Sequence, residues 1–78
     1  MNEVQNMIID ESIVLKTIAE LMDSKRSVAP DDLMKALDIP DFVLIKYLKS
    51  INQKGYTTQV FEEITLTDRG LRAYQALL

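Results

Sequence analysis

Lys46, Lys49 and Gln53 are spaced so that a helix brings them to one side. Two ammonium groups and a carboxamide there can meet phosphate oxygens or the hydrogen-bonding edges of guanine. Phe42 falls on the same side, with Ile45 beside it. An aromatic ring and a branched aliphatic chain in that position suit a thymine methyl or an apolar pocket on a protein. With Asp41 taken as 0°, Leu44, Tyr47, Leu48 and Ile51 cluster between about 240° and 340° at 100° per residue. The helix therefore separates into a core side and an outward side, and the polar groups lie on the outward one.

The remaining chemistry-bearing residues are carboxylates. Asp31-Asp32 and Glu62-Glu63 are adjacent pairs. No glycine-rich loop or nucleophile motif accompanies them. Asp31 and Asp32 sit where a helix begins, so their charges favour the positive end of its dipole. The chain has no cysteine and no histidine. Disulfides, thiolate or imidazole metal sites and Cys–His or Ser–His catalysis are thereby excluded. The expectation is a protein that is not an enzyme and that uses no metal or cofactor.

These residues need elements to hold them. Asp10 is a suitable N-cap, and Val14, Leu15, Ile18, Leu21 and Met22 fall on one arc of about 120°. This predicts a first helix over about 11–24, with Ile13 off the arc. Ser24 to Ser27 is a polar break, after which Val28 can form a single bridge. Pro30 suits the first position of a short helix over 30–37, with Leu33, Ala36 and Leu37 on its apolar face. Asp38-Ile39-Pro40 is a tight break. The third helix runs from Pro40 or Asp41 to Lys54, and Gly55 is its left-handed terminator. Tyr56 to Val60 and Ile64 to Leu66 alternate as a hairpin connected through Phe61-Glu62-Glu63. Thr67 is the N-cap of a last helix over about 68–77 that carries Leu71, Tyr74, Leu77 and Leu78.

The 78 residues allow one domain, in which about 60% of the unfolded surface can be buried. Apolar residues make up 47% of the chain, and glycine and proline total four, so disorder is not expected. No apolar run is long enough to span a membrane. The N-terminal residues lack the basic region of a secretory signal, and with the lack of cysteine this points to the cytoplasm. The net charge is −3. That balance disfavours a general polyanion binder but permits a local basic face.

Two helices across a tight turn, a hairpin and a closing helix resemble the winged helix-turn-helix module. The residues that carry the likeness are Leu33 to Leu37, Ile39, Leu44, Leu48, Ile51, Lys54-Gly55-Tyr56 and Ile64-Thr65-Leu66-Thr67-Asp68-Arg69-Gly70. The last stretch looks like the close of the wing in MarR-like and related small bacterial, archaeal or phage regulators. The likeness covers about 11–78, with 1–10 as an N-terminal arm. It does not include the long dimerisation helices of MarR proteins. It implies an α+β winged helix of three helices, a two-stranded wing and a C-terminal helix. It also implies a DNA-binding transcriptional regulator whose third helix enters the major groove. Phe42, Ile45, Lys46, Lys49, Gln53 and Arg69 are then the contacts to duplex DNA.

A second function fits the same fold. The expected wing tip, Phe61-Glu62-Glu63, is acidic where a DNA-contacting wing would present arginine or lysine, and its carboxylates would repel phosphates. The alternative is a protein–protein interaction module that docks through the apolar outer face of the third helix, with an acidic wing that keeps nucleic acid away. The ends carry a further signal. Val4, Met7, Ile8, Ile9 and Ile13 exceed what the first helix needs, and Tyr74 and Leu77 add apolar surface near the other end. A homodimer through Ile8, Ile13, Tyr74 and Leu77 is expected on that basis.

Overall fold

The computed structural model describes residues 10–78. Of the arm, Val4, Met7, Ile8 and Ile9 lie outside the described residues, and with them the Ile8 part of the expected dimer contact. Among the described residues the fold is a small α+β domain of four helices and one antiparallel hairpin. Helices α1 (Glu11–Leu21), α2 (Pro30–Leu37) and α3 (Asp41–Gln53) come first. Strands β1 (Thr57–Val60) and β2 (Glu63–Leu66) follow, and α4 (Asp68–Leu77) closes the chain.

Each boundary has a local cause. The Asp10 carboxylate accepts from the Ile13 backbone N–H at 3.1 Å and caps α1. The helix ends at Leu21, three residues short of the expected 24. Asp23 and Ser24 donate to the carbonyls of Glu20 and Leu21, so the chain tightens into three-residue turns and leaves the α-helical ladder. At α2, Ala29 has no side chain that can cap. The Asp32 carboxylate reaches back instead to the Ala29 N–H at 3.0 Å, and Lys25 pairs with the same oxygen at 2.9 Å. Asp32 thus completes a helix start. Asp38 ends α2 with φ 55° and ψ 52°, a left-handed conformation that aspartate tolerates better than most residues. Pro40 then precedes α3, and Gly55 terminates it with φ +79°.

The hairpin register pairs Thr57 with Leu66, Thr58 with Thr65, Gln59 with Ile64 and Val60 with Glu63. The first strand begins at Thr57 and not at Tyr56. The Tyr56 N–H is bonded to the Ile51 carbonyl and its own carbonyl accepts from Thr67, so its backbone serves the helix end. Val28 bridges Ile64 through two 2.9 Å backbone hydrogen bonds, which ties the α1–α2 connection to the hairpin.

Val14, Ile18, Val28, Leu33, Leu44, Leu48, Ile51 and Ile64 form one buried cluster. Ala19 is buried as well, a position the apolar arc of α1 does not single out. Two expected core positions differ. Ala36 is exposed, and Met34 packs against the cluster in its place. Leu71 is 43% exposed. The buried residue of α4 is Gly70, whose missing side chain lets the helix lie directly on the Tyr56 backbone, and Leu71 is turned to its flank. Thr57 is buried and polar, and its hydroxyl donates to the Asn52 side-chain oxygen.

Glu11 at the start of α1 joins the end of α3. Its carboxylate accepts from the Lys54 ammonium at 2.5 Å and from the Ser50 hydroxyl. The Lys54 hydrogen bond, followed by the Ser50 one, holds Glu11 below the ordinary value of 4.5. The same bond raises Lys54 above its ordinary value. A depressed carboxylate stabilises the fold fully above about 4.5, and that contribution fades as pH falls through the lowered value. Glu11→Gln is expected to lower the denaturation midpoint slightly at pH 7, because the pair is partly exposed. The gap between variant and parent should narrow as pH falls below the ordinary value of 4.5. A gap that stays constant from pH 7 to pH 3 would show that the carboxylate charge contributes nothing.

Candidate interaction surface

Helix α3 buries Leu44, Leu48 and Ile51, and this fixes what its other side displays. Phe42 is 73% exposed and Ile45 57%. Lys46, Lys49 and Gln53 are exposed too, so five of the six expected contact residues share the outward side of one helix. The Lys46 ammonium lies 5.7 Å from the centroid of the Tyr47 ring, within range of a cation–π attraction. Lys49 makes no ion pair among the described residues.

A groove of about 520 Å³ runs between α2, α3 and the hairpin. Met34, Asp41, Ile45, Lys49, Asn52 and Gln59 are among its lining residues. Asp41, Ile45 and Lys49 follow one another at four-residue steps along α3, so one ridge of the helix forms a wall. Gln59 of β1 faces them, and its side-chain amide donates to the Phe61 carbonyl at 3.0 Å.

The backbone conformation of the hairpin tip is the feature the sequence leaves unread. Val60 pairs with Glu63, so Phe61 and Glu62 alone form the loop. Phe61 has φ +56° at the first loop position, where glycine is the usual occupant of a two-residue hairpin. A bulky residue in that region is strained by about 1–2 kcal/mol. Its side chain is 94% exposed and Val60 beside it is 65% exposed. Burial does not compensate for the strain within the described residues. The only available signal was the combination of Phe61 with a short loop between two alternating strands. Phe61→Gly is expected to raise stability by up to about 1 kcal/mol, after the extra freedom of glycine in the unfolded chain is deducted. A loss of stability in chemical denaturation would contradict the strain.

Arg69 is placed apart from the outward side of α3. Its guanidinium donates to the Lys54 carbonyl at 3.1 Å and lies against Gly55. It therefore covers the negative end of the α3 dipole. Thr67 acts at the same junction. Its hydroxyl donates to the Gly55 carbonyl at 2.5 Å and accepts from the Gly70 N–H at 3.0 Å. Lys54-Gly55-Tyr56 and Thr67-Asp68-Arg69-Gly70 thus clasp each other. This clasp fixes the hairpin relative to α3.

Of the residues expected at a dimer contact, Tyr74 and Leu77 lie one turn apart on α4 and open on different recesses. Tyr74 is half-buried in a recess with Ala19, Met22 and Leu71. Leu77 is 46% exposed and opens on another recess with Glu11, Leu15 and Lys54. Ile13 is half-buried on α1 and lines neither recess. Among the described residues, no helix is long and apolar enough to cross a membrane, and no group of three acidic residues is placed to hold a metal ion. In comparisons with known proteins, the sequence matches no family model and no curated protein, so the functional reading rests on these residues and their geometry.

Proposed function

We propose that the chain is a non-enzymatic winged-helix binding module whose α3 and wing dock onto protein. The observation that carries this reading is Phe61, almost fully exposed and held in a strained conformation at the wing tip. Residues held in strained backbone conformations cluster at binding sites. Phe42 and Ile45 supply a second apolar group on α3, and exposed aromatic residues in such patches are the usual anchors of protein interfaces. Glu62 and Glu63 flank the tip, and no lysine or arginine occurs from Thr57 to Leu66. A wing of this composition repels phosphate. Arg69, the nearest arginine after the wing, is engaged with the end of α3.

Lys46, Lys49 and Gln53 favour a second reading, a small regulator that binds duplex DNA through α3, because all three are exposed on one side of that helix. Fluorescence anisotropy with a mixed-sequence duplex over a range of salt separates the two. Protein docking predicts no binding at physiological salt beyond the weak level of nonspecific contacts, about 10⁻⁴ M. Submicromolar binding, with Lys46→Ala/Lys49→Ala removing about two units of the log–log salt slope, would establish the DNA reading instead.

A further inference from the structure

We infer that the partner of this surface is a second copy of the same chain, with the wing tip of each copy seated on α3 of the other. The inference rests on the protein-docking reading above and names its partner.

Self-complementarity carries it. The wing tip presents Phe61 and Val60 beside Glu62 and Glu63. The outward side of α3 presents Phe42 and Ile45 beside Lys46 and Lys49. Each surface thus has an apolar pair next to a charged pair of opposite sign; Asp41, on the ridge of Ile45 and Lys49, leaves that side of α3 with a net charge of about +1. Within one copy, neither Glu62 nor Glu63 forms an ion pair with these lysines among the described residues, and a groove of about 520 Å³ separates α3 from the wing. A two-fold axis beside the hairpin tip sets the tip of one copy over α3 of the other and repeats the contact in reverse. Such an interface is isologous and closed, so it yields a dimer and not a filament. Phe61 then finds an apolar cover that the described residues of its own chain do not give it. The lysines meet carboxylates at the rim, where opposite charges set orientation.

The test is sedimentation velocity of the full chain and of charge-reversed variants. Lys46→Glu/Lys49→Glu makes both surfaces acidic, and Glu62→Lys/Glu63→Lys makes both basic. Each variant alone should self-associate at least about tenfold more weakly than the parent. An equimolar mixture should regain the parent affinity, because both contacts of the mixed dimer are again complementary. Phe61→Gly should weaken association by about tenfold or more, while its melting temperature, taken at a concentration where both chains are monomeric, stays at or above that of the parent. Leu77→Asp should leave association unchanged.

Several results would overturn the proposal. One is a parent chain that is monomeric to about 1 mM, the weak end of protein affinities. Another is a mixture that fails to recover. A third is equal recovery when Glu62→Lys/Glu63→Lys is mixed with Lys16→Glu/Lys35→Glu, since that would show general charge attraction. Loss of the dimer in Leu77→Asp but not in Phe61→Gly would place the interface on α4. Failure of the protein-docking reading has its own signature, the salt-dependent duplex binding described above.

Discussion

Gly70→Ala is expected to destabilise the domain by about 3 kcal/mol or more, enough to take away a large part of its stability. A Cβ at this position would lie 1.9 Å from the Tyr56 carbonyl oxygen and 2.8 Å from its carbon. The obstacle is backbone, not the far end of a flexible side chain. That same oxygen accepts the Thr67 N–H at 3.0 Å, so moving it breaks the hydrogen bond that seats the start of α4. The Leu66 side chain closes the remaining space at 3.1 Å. The helix must lift, and the Thr67 cap and the Arg69 contact to Lys54 loosen with it. Chemical denaturation checks this, and a midpoint within error of the parent would show that α4 does not lie on Tyr56.

Leu48→Ala is expected to cost about 2–5 kcal/mol, as buried leucine truncations do. Leu48 is 5% exposed and belongs to the cluster that joins α1, α2, α3 and the hairpin. A chain of 78 residues has about 4–12 kcal/mol of total stability, so this one substitution removes a large fraction of it. The result also tests function, because burial of Leu48 fixes the rotation of α3. An unmoved denaturation midpoint would mean that α3 faces the core with another side. Phe42, Ile45, Lys46 and Lys49 would then no longer form an outward surface.

Local signals carried most of the architecture. Pro30, Gly55, Thr67 and the alternating Ile64-Thr65-Leu66 mark the ends of elements through backbone preferences that need no tertiary partner. Helices α2 and α4 start where Pro30 and Thr67 indicate, α3 ends just before Gly55, and the Val28 bridge forms as expected. The outward side of α3 was legible for the same reason, since four core residues at helical spacing define its opposite.

What escaped the sequence depends on distant contacts. Leu71 looks like a core residue by periodicity, but the approach of Gly70 to Tyr56 sets the rotation of α4 and leaves Leu71 on the flank. Arg69 looks like a free cation beside the wing, yet it meets a carbonyl fifteen residues away in sequence. The left-handed conformation of Phe61 has no local marker, because hairpin turns are normally read from glycine or asparagine and this loop has neither. Here the register of two short strands imposes a conformation that the residue itself disfavours.

The measurement that reaches the central claim most directly is an amide chemical-shift map of the full chain as its concentration rises from about 10 μM to about 1 mM, the range of weak protein pairing. The account predicts progressive shifts at Phe42, Ile45, Lys46 and Lys49 on α3 and at Val60 to Glu63 at the hairpin tip, with Tyr74 and Leu77 unmoved. Shifts confined to α4, or none at any concentration, would contradict it.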